Sequence, residues 1–321
     1  MKVLITGGTG SLGSALVRRL LKDEAERIVV YSRDEWKQAQ FAQDLGRGSA
    51  SDPVLRFFLG DVRDLHRLEQ AMHGCDTVIH TAALKRVDAV AYNPSEVRKT
   101  NIEGSANVTL AATWAGVAKV LMISSDKACM PTNVYGVSKA QMEHEAVAGN
   151  ALTIPRGTRV SVVRYGNVLG SRGSVIHTWR AQAAQGLPLT LTHGEMTRFW
   201  IMMPQAVEFV LSSLQRMQGG EIFVPKLPAA WMLDLARAFA PEALLHIAEP
   251  RPGGEKIHEM LLTEEETART LDLGDCYLVV PPLHPWTPRE WQGTPVGSLR
   301  YTSDNAPCLS VEELRELLRE L

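Results

Sequence analysis

The sequence predicts an α/β fold built on a doubly wound parallel β-sheet, and three observations support this prediction. Short apolar runs rich in β-branched residues alternate with segments of helical periodicity through the first half of the chain. A glycine-rich turn, TGGTGSLG at residues 6–13, follows the first of these runs. The composition, with 45% hydrophobic and 22% charged residues, supplies enough apolar material for a large core. Strands that alternate with helices predict parallel pairing with right-handed crossovers.

The predicted elements of the first half follow one another in a regular order. Strands are expected at residues 2–6, 27–31, 54–59, 77–80, 117–124 and 159–164. Apolar residues at helical spacing predict helices at residues 14–21, 65–72, 101–114 and 138–147. We therefore expect residues 1–164 to form one domain.

The second half has a different texture. Glycine, proline and short apolar segments dominate after residue 164, with helices expected near residues 204–218 and 309–321. At roughly 150 residues per domain, a chain of 321 residues corresponds to about two domains. We expect residues 165–321 to form mainly a smaller substrate-binding region, with some segments returning to the sheet. Its expected place is over the carboxyl edge of the sheet, where ligands bind in open α/β folds.

Charge and cysteine usage exclude several classes of protein. The 34 Lys and Arg residues against 36 Asp and Glu argue against nucleic-acid binding through a basic surface. The four cysteines are widely separated and lack metal-ligand spacing, which predicts no metal site and free thiols in a reducing compartment. No apolar run reaches roughly 18 residues, and the N-terminus lacks a cleavable signal pattern. We expect a cytoplasmic protein with no membrane partner.

The glycine-rich turn has the context of a Rossmann dinucleotide-binding site. It follows a predicted strand and opens a predicted helix. Gly7 permits the tight turn, Gly10 allows close approach of a pyrophosphate, and Gly13 lets the helix pack against the sheet. The helix N-terminus favours the phosphate charge. The predicted cofactor contacts in this turn are Gly7, Thr9, Gly10, Ser11, Leu12 and Gly13. The alternative is a glycine turn that binds nothing.

The end of the second strand indicates which dinucleotide binds. An acidic residue there suits the ribose hydroxyl of NAD, and an arginine suits the 2′-phosphate of NADP. Arg33 and Lys37 favour NADP over NAD, although Asp34 leaves NAD open and a solvated loop is the alternative. The other predicted cofactor contacts at strand ends are Ser32, Asp61, Val62, Ala82 and Ala83.

Tyr135 and Lys139 form a candidate catalytic pair. They are four residues apart at the start of a predicted helix and therefore share one face. The ammonium group is expected to lower the pKa of the tyrosine and to hold the nicotinamide ribose. Ser125 follows the fifth strand, where its hydroxyl can share the proton of a sugar hydroxyl. The spacing alone is common, so it needs the surrounding motifs.

Taken together, these motifs resemble the extended short-chain dehydrogenase/reductase family. Within it, the chain is similar to the UDP-N-acetylglucosamine 4,6-dehydratases of the C5-inverting type that begins pseudaminic acid synthesis. The similarity spans nearly the whole chain. It is carried by residues 31–38 (YSRDEWKQ), 61–64 (DVRD), 82–85 (AALK), 125–127 (SDK), 133–135 (NVY), 164–175 (RYGNVLGSRGSV), 197–201 (TRFWI), 254–259 (GEKIHE) and 301–305 (YTSDN).

The resemblance implies a catalytic set of Ser125, Asp126, Lys127, Tyr135 and Lys139. Tyr135 would oxidise C4 of the sugar together with NADP. Lys127, made neutral by a lowered pKa, would remove the C5 proton, and protonated Asp126 would release the 6-hydroxyl as water. Simple 4-epimerases lack such an acid–base pair because they eliminate no water. A surface ion pair is the alternative interpretation.

The resemblance also implies a UDP-N-acetylglucosamine pocket and a homo-oligomer formed through helices that flank the sheet. Each arginine of that pocket, taken alone, fits a solvated surface residue better than a substrate contact. A nucleotide-sugar epimerase and a non-catalytic NADP-binding regulator remain the competing functions. The expected substrate contacts are Lys85, Asn167, Arg172, Ser174, Val175, Arg198, Arg251 and Glu255.

Overall fold

Parallel strands and intervening helices build the first half of the computed structural model, which describes residues 1–48, 52–249, 253–282 and 291–321. The strands are β1 (Lys2–Thr6), β2 (Arg27–Ser32), β3 (Leu55–Leu59), β4 (Thr77–His80), β5 (Lys119–Ile123) and β6 (Arg159–Val163). The helices are α1 (Ser11–Lys22), α2 (Glu35–Leu45), α3 (Leu65–Met72), α4 (Val87–Ala91), α5 (Pro94–Val97), α6 (Gly104–Trp114) and α7 (Val134–Thr153).

The six strands lie in the order β3-β2-β1-β4-β5-β6, and all neighbouring pairs are parallel. Their side chains are mostly buried and apolar, as expected when helices cover both faces of a sheet. The chain reverses its direction of progress between β1 and β4, so the carboxyl ends of these strands border a crevice. The predicted doubly wound sheet is confirmed.

The second half supplies shorter elements. Its strands are β7 (Asn167–Val168), β8 (Leu189–Leu191), β9 (Thr197–Ile201), β10 (Ile222–Pro225), β11 (Ala229–Trp231), β12 (Leu245–Ile247), β13 (Met260–Leu262), β14 (Thr270–Asp272), β15 (Cys276–Val279), β16 (Thr294–Pro295) and β17 (Tyr301–Thr302). Its helices are α8 (Val175–Ala184), α9 (Met203–Arg216), α10 (Met232–Phe239), α11 (Glu264–Thr267) and α12 (Val311–Arg319).

Some of these strands extend the main sheet. β10 pairs in parallel with β6, and β15, β14 and β16 continue the sheet in antiparallel register. α9 packs against α1 on the same sheet. Later segments therefore return to the sheet, while the division into domains at residue 164 stays a prediction.

The remaining elements form a cap with its own core. β11, β9 and β7 make a small sheet, and β8 pairs with β12. Trp179, Leu189, Leu235 and Leu314 are buried in a second apolar cluster that joins α8, α10 and α12. In the described part of the chain, no helix is both long and apolar enough to cross a membrane.

Candidate active site

A large cleft runs between the carboxyl edge of the sheet and the cap. Its volume of about 1360 Å³ exceeds the roughly 300–1000 Å³ typical of a site for one small molecule. There is therefore room for a dinucleotide and a second ligand together. The predicted site residues that line the cleft are Gly7, Thr9, Gly10, Ser11, Leu12, Ser32, Arg33, Lys37, Asp61, Val62, Ala82, Ala83, Lys85, Ser125, Lys127, Tyr135, Lys139, Asn167, Arg172, Ser174, Val175, Arg198 and Glu255.

Two of the predicted residues that the structure describes stand apart from that lining. Gly13 packs inside the first turn of α1, and Asp126 is fully buried behind the cleft wall. Arg251 lies outside the described residues.

The glycine turn has the geometry that close approach to a ligand requires. Gly7 has a φ of +63°, and its carbonyl accepts the N–H of Gly10 at 2.7 Å. A Cβ on Gly13 would lie 2.5 Å from the Gly7 oxygen, so only glycine fits there. Gly10 caps α1 without a side chain, which leaves the N-terminal N–H groups of the helix facing the cleft.

Two cations stand at the far end of the cleft, after β2. The Arg33 side chain is 56% exposed and lies 3.8 Å from Asp61. Lys37 forms an ion pair with Asp34 at 2.9 Å. Asp34 also caps α2, because its Oδ1 accepts the N–H of Lys37 at 3.0 Å. The Asp34 carboxylate is thus already bound to groups of its own helix.

Below the expected nicotinamide position, a buried polar chain joins β1, β4 and α6. His80 contacts the Thr6 hydroxyl at 2.7 Å and the Ser105 hydroxyl at 3.0 Å. Burial lowers the pKa of His80 to about 3, so the ring is neutral. Thr81 donates to the Thr6 carbonyl at 2.7 Å. These contacts fix the end of β4, from which Ala82 and Ala83 enter the cleft.

Tyr135 and Lys139 share the first turns of α7, as the spacing predicts. Lys139 donates to the Ile123 carbonyl at 2.7 Å, and burial lowers the pKa of Lys139 to about 8. The pKa of Tyr135 is raised by burial to about 12, although Lys127 and a hydrogen bond with Ser125 oppose the shift. The expected lowering of the Tyr135 pKa by Lys139 is therefore not found, and the cation that acts on this tyrosine is Lys127.

Ser125, Asp126 and Lys127 form a connected group after β5. Ser125 Oγ donates to Asp126 Oδ1 at 2.7 Å, and Lys127 Nζ lies 3.0 Å from the same oxygen. Burial, together with the charge of Glu259, raises the pKa of Asp126 against the opposing charge of Lys127. A raised pKa makes it easier for this carboxylate to take up a proton, as a group that later acts as an acid must do.

The expected lowering of the Lys127 pKa is wrong for this structure. Burial does oppose its charge, but Asp126 and Glu259 outweigh burial and raise the pKa of Lys127 above its ordinary value. Glu259 Oε1 lies 3.1 Å from Lys127 Nζ. No local sequence pattern places Glu259 here, because β13 and the segment before it come from far along the chain. The one sequence signal for a role of Glu259 is its position in the GEKIHE segment.

The predicted substrate residues surround the cap side of the cleft. Lys85 lines it, and burial together with the charge of Arg172 lowers the pKa of Lys85. The Arg172 side chain extends to the glycine turn, where its guanidinium donates to the Thr9 carbonyl. The backbone N–H of Arg172 donates to Ser11 Oγ at 3.1 Å. Asn167 Oδ1 lies 3.4 Å from Lys127 Nζ.

Arg198 and Glu255 hold each other in the wall of the cap. The Arg198 guanidinium donates to the carbonyls of Thr197 at 2.7 Å and Ile257 at 3.0 Å, and to Glu255 at 3.2 Å. These partners therefore occupy most of the N–H donors of the Arg198 guanidinium. Ser174 is the N-cap residue of α8, Val175 is the first residue of that helix, and both line the cleft.

Comparison with known proteins places the chain in a family. Residues 3–281 match the model described as polysaccharide biosynthesis protein. The chain belongs to this family. A UDP-N-acetylglucosamine 4,6-dehydratase (inverting) of Campylobacter jejuni is 44% identical over 283 residues, which cover 87% of this chain and 82% of that protein. A UDP-glucose 4-epimerase of Rickettsia canadensis is 39% identical over 336 residues, covering 99% of this chain and 95% of that protein.

Solved structures confirm the fold of this family member. Pen from Bacillus thuringiensis has a TM-score of 0.91 and 32% identity, covering 100% of this chain and 98% of that one. DesIV, a dTDP-glucose 4,6-dehydratase from Streptomyces venezuelae solved with NAD bound, has a TM-score of 0.69 and 24% identity. That pair covers 79% of this chain and 86% of DesIV and shows the fold alone. The resemblance to extended short-chain dehydrogenases/reductases, and to UDP-N-acetylglucosamine 4,6-dehydratases within them, is confirmed by the family match and the 44% identity.

The cleft of this family member fits a nicotinamide dinucleotide. A Cβ on Gly10 would lie 2.9 Å from the Gly7 oxygen, and one on Gly7 would lie 2.9 Å from the backbone of Ala82. Both positions therefore admit only glycine, which allows the tight turn that close approach of a pyrophosphate requires. Arg33 and Lys37 offer charge at one end, and Tyr135 and Lys139 lie at the other.

Proposed function

We propose that this protein is a nucleotide-sugar 4,6-dehydratase that converts UDP-N-acetylglucosamine to a UDP-4-keto-6-deoxy-N-acetylhexosamine with inversion at C5. The observation that carries the proposal is the Asp126–Lys127 pair, which is joined at 3.0 Å and electrostatically coupled to Tyr135. A C4 epimerisation needs no second acid and base, whereas elimination of water needs both. The 44% identity to an enzyme named for this reaction supports the same function.

In the proposed first step, Tyr135 removes the proton of the C4 hydroxyl. A bound nicotinamide supplies the hydride acceptor for oxidation at C4 and the hydride donor for reduction at C6. The Ser125 hydroxyl contacts Tyr135 and can share the proton, and the charge of Lys127 favours the phenolate. Lys139 donates a hydrogen bond to the Ile123 carbonyl, which places its ammonium group where it would hold the ribose of the nicotinamide.

The second step is the elimination. The C4 ketone acidifies the C5–H bond, and the amine of Lys127 takes that proton. Lys127 must first be neutral, which a proton transfer to Asp126 across their 3.0 Å contact achieves. The same transfer makes Asp126 the acid. Its proton passes through the Ser125 hydroxyl, 2.7 Å away, to the departing 6-hydroxyl. The C6–O bond breaks, water leaves, and C5=C6 forms before hydride returns to C6 and a proton to C5.

We also propose NADP as the preferred cofactor. Arg33 and Lys37 both line the end of the cleft, and Asp34 is engaged in capping α2 and in its ion pair with Lys37. Two cations suit a 2′-phosphate, and the guanidinium can bind it with two parallel hydrogen bonds. NAD is the alternative, and it is the cofactor bound in the DesIV structure.

Incubation with UDP-N-acetylglucosamine and NADP, followed by mass analysis of the product, tests the function. Loss of one water supports dehydration. An unchanged mass supports a nucleotide-sugar epimerase, the second candidate, which the Rickettsia relative favours. No turnover supports a non-catalytic NADP-binding regulator. In deuterated water the dehydratase should place one deuterium at C5 and none at C6, and retention of the original hydrogen at C5 would contradict the elimination.

We further propose that the protein is a cytoplasmic homo-oligomer. Cys75, Cys129, Cys276 and Cys308, all within the described ranges, are free thiols, as expected in a reducing compartment. Apolar side chains stand exposed on α6 and α7, the helices that flank the sheet.

A further inference from the structure

A buried carboxylate, Glu259, completes the charge balance behind the catalytic pair. Glu259 is 1% exposed and lies immediately before β13. Its Oε1 is 3.1 Å from Lys127 Nζ, and its Oε2 is 3.2 Å from Lys256 Nζ. Arg198 Nε lies 3.9 Å from it. Its backbone N–H donates to Ser303 Oγ at 2.9 Å, which fixes the residue in place.

The charges around this carboxylate form a connected group. Three cations, Lys127, Arg198 and Lys256, face Glu259, while Asp126 pairs with Lys127 and Glu255 pairs with Arg198 at 3.2 Å. Burying unpaired cations is costly, so Glu259 makes a charged Lys127 tolerable. The same negative charge opposes the ionisation of Asp126.

We propose that Glu259 is a positioning residue that keeps one proton shared between Asp126 and Lys127 through the catalytic cycle. The inference rests on the proposed dehydration. The negative charge of Glu259 favours the protonated forms of Asp126 and Lys127, so both residues bind a proton more tightly. The shared proton then sits on Lys127 at rest and moves to Asp126 when an amine base and a carboxylic acid are needed.

The protonation tendencies of the three groups agree with this arrangement. Burial works against the charge of Glu259, but Lys127, Arg198 and Lys256 lower the pKa of Glu259 to about 2. It therefore stays ionised at neutral pH. Burial and then Glu259 raise the pKa of Asp126, and Asp126 and Glu259 together raise that of Lys127.

A shared proton predicts a bell-shaped dependence of kcat on pH. The acid limb marks the uptake of a second proton, when Asp126 and Lys127 are both protonated and no base is available. The alkaline limb marks the loss of the last proton, when no acid is available. Both limbs should respond in the same direction to a change in the charge of Glu259.

The test is the pH profile of the Glu259→Gln holoenzyme with UDP-N-acetylglucosamine. Without the negative charge, both Asp126 and Lys127 bind protons less tightly, so both limbs should move to lower pH by about one pH unit or more. Glu266→Gln is the matched control, because Glu266 is a buried carboxylate paired with Arg164 at 2.8 Å and does not line the cleft. Its limbs should stay at wild-type pH. Wild-type limbs in Glu259→Gln would overturn the proposal.

Two further variants keep the proposal testable if Glu259→Gln does not fold. Lys256→Met removes a cation that faces Glu259 and donates to the Asp126 carbonyl at 3.2 Å, so both limbs should move to higher pH. Glu259→Asp keeps the charge, so its limbs should stay nearer the wild-type positions than those of Glu259→Gln. A Lys256→Met profile that is unmoved or shifted downward contradicts the proposal. If the wild type yields no dehydrated product, the proposed function itself fails.

Discussion

At the scale of single residues, oxidation and elimination are assigned to different side chains. Tyr135→Phe should block the first step, so no reduced nicotinamide accumulates when substrate is added. Lys127→Ala should still oxidise C4, although more slowly, because it loses the charge that favours the Tyr135 phenolate while its role as a base begins once the ketone exists. That variant should accumulate enzyme-bound reduced nicotinamide, visible by its absorbance, and lose about 10²–10⁴ in turnover.

Lys226→Ala is the control for that experiment. Lys226 forms an ion pair with Asp272 at 2.7 Å and does not line the cleft. It should turn over at the wild-type rate. Product formation at the wild-type rate in Lys127→Ala would remove this lysine from the mechanism.

Arg33 is expected to distinguish the two dinucleotides. Arg33→Ala should weaken NADP binding by about 1.5 kcal/mol, the low end for a charge-assisted hydrogen bond, because the side chain is 56% exposed. NAD binding should change little. Titration of both cofactors measures this, with Arg18→Ala as a control, since Arg18 stands on α1 outside the cleft lining. Equal losses for NAD and NADP would show that Arg33 does not contact the 2′-phosphate.

The sequence predicts which side chains reach the cleft better than it predicts their protonation. Lys127 lines the cleft as expected, but its pKa is raised because Glu259 approaches from a distant segment. The pKa of Tyr135 is raised for a related reason, since burial depends on the whole fold. Local spacing carries no information about either effect.

At the scale of elements, α7 begins where its cap allows. The helix is predicted from residue 138, but it starts at Val134 because Asn133 Oδ1 accepts the Gly136 N–H at 2.9 Å. Strands β1 and β4 coincide with their predicted ranges, because buried parallel strands read as apolar runs. α2 was not predicted, since its mostly polar sequence leaves only Gln38 and Phe41 buried. Residues 98–103 form a π-helical turn before α6, which simple periodicity does not anticipate.

The cap of α7 is expected to support the site that the helix carries. Asn133→Ala removes the acceptor for Gly136 and should destabilise the protein by about 1 kcal/mol. Asn133→Asp keeps the acceptor but loses the amide that donates to the Gly254 carbonyl at 3.2 Å. It should therefore recover most of the stability. Chemical denaturation of both variants measures this, and equal stability of Asn133→Ala and the wild type would contradict the role of the cap.

At the scale of the whole molecule, the two halves of the chain share one sheet. β10, β14, β15 and β16 from the second half extend the sheet that carries the glycine turn, while the cap covers its carboxyl edge. The sequence predicts this return only in outline. Antiparallel pairing of short strands depends on contacts between distant segments, which alternation of strands and helices does not encode.

The outer faces of α6 and α7 predict how the molecule assembles. Leu110 and Trp114 lie one turn apart on α6 and are 39% and 44% exposed, and Val137 and Leu152 on α7 are 52% and 77% exposed. These exposed apolar side chains on two packed helices favour pairing with the same surface of a second copy.

A double variant tests this assembly. Leu110→Lys with Trp114→Glu should convert the proposed homo-oligomer to a smaller species, because charges would be buried at its interface. Light scattering coupled to gel filtration, over a range of protein concentrations, measures the mass. Leu187→Lys is the control, since Leu187 is 51% exposed outside α6 and α7, and it should leave the mass unchanged. If the wild type elutes as a monomer, or if the double variant keeps the wild-type mass, these helices do not form the interface.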